Sequence, residues 1–139
     1  MCSDRRRRVA DSLSDYDSVC EVGVGRRPGV ARLLAERGVS VAATDVVPRS
    51  VPDEVSFYRD DVVAAAGRAR RGEGPGAPYR VAAVYALSCP PELHRPLATV
   101  ADAVDADCQF TTLGGDPPTV PVDRTPLAGG ETLYTVQSP

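Results

Sequence analysis

Glu21-Val22-Gly23-Val24-Gly25-Arg26-Arg27-Pro28-Gly29 closes an apolar run, and Asp45 follows twenty residues after Gly25. An acid and two glycines at the end of a strand, with a second acid at that spacing, form a nucleotide-cofactor fingerprint. Gly23 and Gly25 let the chain turn sharply out of a strand and bring backbone N–H groups close to a ligand. Asp45 would stand at the end of the next strand, where ribose hydroxyls need an acceptor.

The acid ahead of the glycines bears on which cofactor is favoured. In a dinucleotide fingerprint that position is usually apolar or small, because a carboxylate repels pyrophosphate. Glu21 suits instead a ligand with a positive end, such as the ammonium and sulfonium of S-adenosylmethionine. The pattern Glu-x-Gly-x-Gly with a later Asp resembles motif I and the following acid of class I S-adenosylmethionine-dependent methyltransferases. It departs from them at the third glycine, where Arg27 stands and the next glycine is Gly29. Spaced Gly-x-Gly-x-x-x-Gly, the turn also fits looser phosphate-binding Rossmann turns, with Arg26 and Arg27 at a helix N-terminus able to meet a phosphate. NAD(P) or another nucleotide therefore stays open as the alternative ligand.

With 139 residues, the chain has room for one domain with a real core, and a single Rossmann-like domain over 1–139 is expected. No apolar stretch is long enough to span a bilayer, and Arg5 to Arg8 have no apolar run behind them, so a cytoplasmic protein without a membrane partner is expected. All 16 basic residues are arginine, and Lys, Ile and Asn are absent, which points to a GC-rich genome and suits a salt-adapted, halophilic proteome. The net charge of -3 and the lack of Trp argue against general nucleic-acid binding, since neither an electrostatic surface nor a stacking platform is evident. Cys2, Cys20, Cys89 and Cys108 show no paired metal spacing, so reduced thiols and no metal site are expected.

Asp4 to Leu13 reads as a short helix, Ser18 to Val22 as the first strand, and Pro28 to Arg37 as the helix after the glycine turn. Val39 to Thr44 is a continuous apolar run typical of a strand buried on both faces, and Asp45 ends it. Val55 to Tyr58 is a third strand, and Asp60 is placed to cap a weak helix through Ala69. Gly72 to Pro78 reads as a flexible surface connection. Arg80 to Leu87 is a fourth strand, and the segment from Pro90 onward carries Leu93, Leu97, Val100, Ala101 and Val104 on one helical face, with Pro96 kinking it or marking its start. Asp107 to Thr112 and Glu131 to Val136 are strands five and six. Leu113 to Gly130 shows no helical period.

These units imply an α/β, mostly parallel six-stranded sheet in the order 3-2-1-4-5-6, with helices on both faces and the last strand antiparallel at the edge. The ligand is expected across the carboxyl ends of strands one, two and four. An exposed sixth strand leaves a homodimer or another protein partner open. Lone His94 reads more readily as an exposed or capping residue than as a general base.

Several stretches resemble an uncharacterised archaeal family, number 0146, of short Rossmann-like proteins akin to class I S-adenosylmethionine-dependent methyltransferases. They are Val19 to Arg26, Ala43-Thr44-Asp45-Val46, and Val84-Tyr85 through Pro90-Pro91-Glu92-Leu93. The resemblance covers most of the chain. It implies a minimal methyltransferase-like fold, with Asp60 or Asp61 near the adenine amino group and Tyr85 to Pro91 at the methyl-transfer face. In that family an arginine usually precedes the proline pair, where this chain has Ser88-Cys89. The family carries no established activity, so catalysis and catalytic residues remain unassigned, and a non-catalytic nucleotide-binding module acting with a partner is the other reading.

Overall fold

The computed structural model describes residues 2–127 and 129–137. At its centre lies β1 (Ser18–Val22), flanked in parallel by β2 (Ser40–Asp45) and β4 (Ala83–Ala86). Beyond β2 comes β3 (Val55–Arg59), and beyond β4 comes β5 (Asp107–Phe110), all parallel. The order 3-2-1-4-5 of the sequence reading is thereby observed.

Each central strand is buried on both faces, as its apolar run requires. Val19, Val41, Ala43, Ala83 and Tyr85 face α1 (Cys2–Leu13) and α2 (Gly29–Glu36), which bring Val9, Leu13, Val30 and Leu34. Cys20, Val22, Val84, Ala86, Cys108 and Phe110 face α3 (Val62–Arg70) and α4 (Pro91–Ala103), which bring Val62, Ala66, Leu97 and Val100. Period-two alternation thus divides one sheet between two cores.

The sheet has seven strands rather than six, in the order 3-2-1-4-5-7-6. The predicted sixth strand is β7 (Thr132–Val136), antiparallel to β5 as expected, but it is not the edge. β6 (Val122–Pro126) pairs antiparallel along its outer side. Its sequence, Val-Asp-Arg-Thr-Pro, shows no apolar alternation because four of its five side chains are exposed. What holds it is backbone pairing to β7, while charge and a terminal proline protect the rim against further strand addition.

Two local expectations change, and a third is decided between its alternatives. The connection after α3 is anchored by a 3₁₀ turn at Ala77–Tyr79, and the Tyr79 ring is fully buried. The cap of α3 is Asp61, whose carboxylate accepts the Val63 N–H at 2.9 Å; Asp60 instead accepts from Tyr79 Oη at 2.7 Å and Arg68 Nη2 at 2.9 Å. Pro96 lies inside α4, which begins at Pro91.

Asp61→Ala should lower unfolding free energy in urea by about 1 kcal/mol, the usual worth of an N-cap. Asp60→Ala should cost more, about 2 kcal/mol, because it strands the buried Tyr79 hydroxyl as well as Arg68. Equal losses would mean that the Tyr79 contact contributes nothing.

Candidate functional site

Gly23 and Gly25 adopt φ of 72° and 62°, the left-handed region that disfavours any residue with a Cβ. A Cβ at Gly23 would meet nothing within 4 Å, so backbone conformation, not crowding, demands glycine there. The turn is stapled to β2. Gly23 and Val24 N–H donate to the Thr44 carbonyl at 2.9 and 3.0 Å, and Gly25 N–H donates to Asp45 Oδ2 at 2.8 Å.

That last bond gives the spacing of Asp45 a structural meaning. Its Oδ2 also accepts from Arg49 Nε at 3.2 Å, and its Oδ1 accepts from Val47 N–H at 3.3 Å. Burial works to raise this carboxyl, but the Gly25 and Val47 amides and the Arg49 guanidinium outweigh it and hold it below the usual range. Asp45 is therefore a charged clasp on the turn, with acceptor capacity left on Oδ1.

Beneath the turn, Glu21 is 1 % exposed, and its Oε1 accepts from Tyr85 Oη at 2.7 Å. The contact follows from register, since Glu21 and Tyr85 are direct partners across β1 and β4. Burial pushes the Glu21 carboxyl up to about 8, with the Tyr85 hydroxyl pulling the other way, and burial and Glu21 together push Tyr85 well above its ordinary value. Among the described residues the one hydrogen-bond partner of the Glu21 carboxyl is Tyr85, on Oε1, and Oε2 is left to the cavity that Glu21 lines.

A cavity of about 380 Å³ opens over Glu21. Gly23, Gly25, Arg26 and Arg27 form one wall, and Leu87, Ser88 and Thr111, from the ends of β4 and β5, form the facing one. α1 contributes Arg5 and Arg6, and Arg5 Nε lies 3.4 Å from Glu131. Ser88 has φ of 49°. Its amide donates to Thr111 Oγ1 at 2.8 Å, so β5 holds the β4 exit in this unfavourable conformation.

Of the candidate residues, Glu21, Gly23, Gly25 and Arg26 line this cavity and Tyr85 supports it from below. Asp45 reaches it through the Gly25 amide. Asp60 and Asp61 are not among the lining residues, and both carboxylates are engaged elsewhere. Cys89 is buried, and burial raises its thiol to about 12, which leaves it unsuited to nucleophilic work at neutral pH. His94 is fully buried rather than exposed, stacked on Phe110 with ring centroids 4.2 Å apart. Its Nδ1 accepts the Thr119 N–H at 3.2 Å, which makes Nε2 the protonated nitrogen, donating to the Cys89 carbonyl at 3.0 Å. Both nitrogens are spent on structure. Only the Cys89 carbonyl is close in sequence; the Phe110 ring and the Thr119 amide come from β5 and the loop before β6, so the residues around position 94 do not reveal this role.

The chain belongs to the uncharacterised protein family UPF0146, whose model matches residues 6–138. A UPF0146 protein of Halobacterium salinarum is 49 % identical over 124 residues, covering 88 % of this chain and 89 % of the relative. Among solved structures, the N-methyltransferase NodS from Bradyrhizobium japonicum superposes with a TM-score of 0.58 at 11 % identity, covering 96 % of this chain and 92 % of that one. A TehB-like SAM-dependent methyltransferase from Corynebacterium glutamicum gives 0.56 at 13 % identity, over 94 % and 84 %. At these identities the likeness establishes the methyltransferase-like fold. No helix among the described residues is long and apolar enough to cross a membrane.

Because Glu21 holds its proton to about pH 8 when folded but ionises near 4.5 when unfolded, its contribution is fully present below pH 4.5 and is lost as pH rises toward 8. Glu21→Gln should therefore flatten this part of the stability profile. Relative to the unsubstituted chain, the variant should gain stability between pH 5 and 8 at up to about 1.4 kcal/mol per pH unit in urea titrations. Parallel profiles for the two proteins would contradict the assignment.

Proposed function

We propose that the cavity over Glu21 binds S-adenosylmethionine and that the chain is a minimal methyltransferase. The carrying observation is the buried acid with one unpaired oxygen at the cavity floor, at the carboxyl edge of a methyltransferase-like sheet. A carboxyl in that place is costly to bury without a ligand that rewards it. A cationic ammonium or sulfonium group does so by taking Glu21 in its ionised form.

In this reading Gly23 and Gly25 give the open wall along which the cofactor lies. Asp45 meets ribose hydroxyls through its spare acceptor positions, displacing Arg49 if the ribose comes to Oδ2. Val46 and Val47, exposed directly after Asp45, supply apolar surface for a base. Asp60 and Asp61 drop out as adenine contacts, since one holds Arg68 and Tyr79 and the other caps α3. Bound there, the cofactor would supply an electrophilic methyl group. The chain contributes position: Ser88 and Thr111 face the cofactor across the cavity and bound the space left for an acceptor, and the barrier falls through in-line alignment rather than proton transfer. Neither Cys89 nor His94 acts as nucleophile or base.

A second reading, a module binding NAD(P) or another phosphorylated nucleotide, draws support from Arg26 and Arg27 in the cavity wall.

Isothermal titration of S-adenosylmethionine, S-adenosylhomocysteine, NADP and ATP separates the two. Binding of S-adenosylmethionine is expected, tightening as pH rises toward 8 by up to tenfold per unit, because the ligand selects ionised Glu21. Glu21→Gln should abolish that pH dependence and weaken binding at least tenfold. Selective NADP binding that needs Arg26 or Arg27 would establish the second reading instead.

A further inference from the structure

The cavity is acid at its floor and basic at its rim. Arg5, Arg6, Arg26 and Arg27 all line it, in a chain whose net charge is -3. Arg5 has Glu131 nearby. Among the described residues, Arg6, Arg26 and Arg27 have neither a carboxylate partner nor a side-chain hydrogen bond.

Arg6 is the telling one. Its side chain crosses the start of α2, so closely that a Cβ at Gly29 would fall 2.7 Å from Arg6 Cδ and 2.9 Å from Nε. The reading of Gly29 as part of a phosphate turn thereby changes, because its hydrogen makes room for an arginine. The start of a helix is its electropositive end, and a cation laid there is repelled unless an anion lies between them. Nor does the protein supply that anion. Pro28 caps α2 without a side-chain bond, and among the described residues nothing takes up the Gly29, Val30 and Ala31 amides, which are free as in the first turn of any helix. Three arginines without a carboxylate partner among the described residues, two of them exposed, and an uncapped helix start border a cavity whose floor is the buried Glu21, with only Oε1 bonded to Tyr85.

We infer that Arg6, Arg26 and Arg27, with the first turn of α2, form a phosphate-binding subsite, so that the acceptor sharing the cavity carries a phosphate group. The word acceptor rests on the methyltransferase reading; the anion site itself rests on the geometry. Glu21 and the arginines then divide the cavity, the acid holding the cationic cofactor and the rim holding the anionic partner. Planar guanidinium forks suit phosphate oxygens, and a dianion relieves both the mutual repulsion of the arginines and the exposed charge of the helix start.

The test is a titration of the full chain with inorganic phosphate and pyrophosphate, by calorimetry and thermal shift, against sodium chloride at matched ionic strength. Phosphate-specific stabilisation is expected, reduced at least tenfold in apparent affinity by Arg26→Gln with Arg27→Gln and by Arg6→Gln, but unchanged in Arg7→Gln, which lies outside the cavity. Circular dichroism of each variant checks that it folds. Loss of phosphate specificity relative to chloride, or equal binding by the Arg6 and Arg7 variants, would overturn the subsite. S-adenosylmethionine titrated into the same proteins separates the two ideas. Phosphate binding without cofactor binding leaves the anion site standing and removes the methyltransferase reading. If phosphate instead expels S-adenosylmethionine competitively, the arginines serve the cofactor's own carboxylate and the acceptor inference falls.

Discussion

The geometry at the carboxyl edge of the sheet depends on the clasp between β2 and the glycine turn. Three successive amides, those of Gly23, Val24 and Gly25, are taken up by the Thr44 carbonyl and the Asp45 carboxylate. Only a chain free to adopt positive φ at two alternate positions can present them all to one strand end. The direction of the turn, the start of α2 and the wall of the cavity follow. A consequence for recognition follows too: amides spent on β2 are not available to a ligand, so the site must read charge largely through side chains. Glycine-rich turns that cradle phosphates work the other way, with their amides pointing outward.

Glu21 occupies a position where packing alone would favour an apolar residue. Its neighbours across the sheet are Ala43 on β2 and Tyr85 on β4, both buried. The fold tolerates the carboxyl because burial keeps it protonated and Tyr85 satisfies one oxygen. Neither device requires the other oxygen to line a cavity, yet the residue does. The price in stability grows as pH rises, which is the cost of a group kept ready to ionise.

The parallel core was legible because its strands are buried on both sides, and Val39 to Thr44 then has nothing but apolar contacts to encode. β6 was not, since Asp123, Arg124, Thr125 and Pro126 carry no core contact and the strand exists through its pairing with β7. Adjacent acids posed another limit: Asp60 and Asp61 differ only in which neighbour each can reach, and Tyr79 and Arg68 settle that in three dimensions. Spacing located Asp45 correctly while misreading its present work, because a ribose acceptor and a turn clasp demand the same residue at the same strand end. Arg5 and Arg6 carry no spacing signal that ties them to the glycine turn. Their meaning comes from α2, more than twenty residues away in the chain.

How α1 is held decides what kind of wall those arginines make. Val9, Ala10 and Leu13 are fully packed in its later turns, whereas in its earlier part Arg5 pairs with Glu131 at 3.4 Å, with the arginine side chain 62 % exposed. A pair so exposed contributes little to stability. The core contacts of the helix thus lie in its later turns, and its earlier turns carry Arg5 and Arg6, which face the cavity. Arg26 and Arg27 follow directly on the turn that β2 clasps, and Glu21 is held from below by Tyr85, so the two halves of the basic rim rest on different supports. An acid fixed below and arginines drawn from two separate elements above is the physical order expected of a pocket that must hold one ligand in register and admit a second.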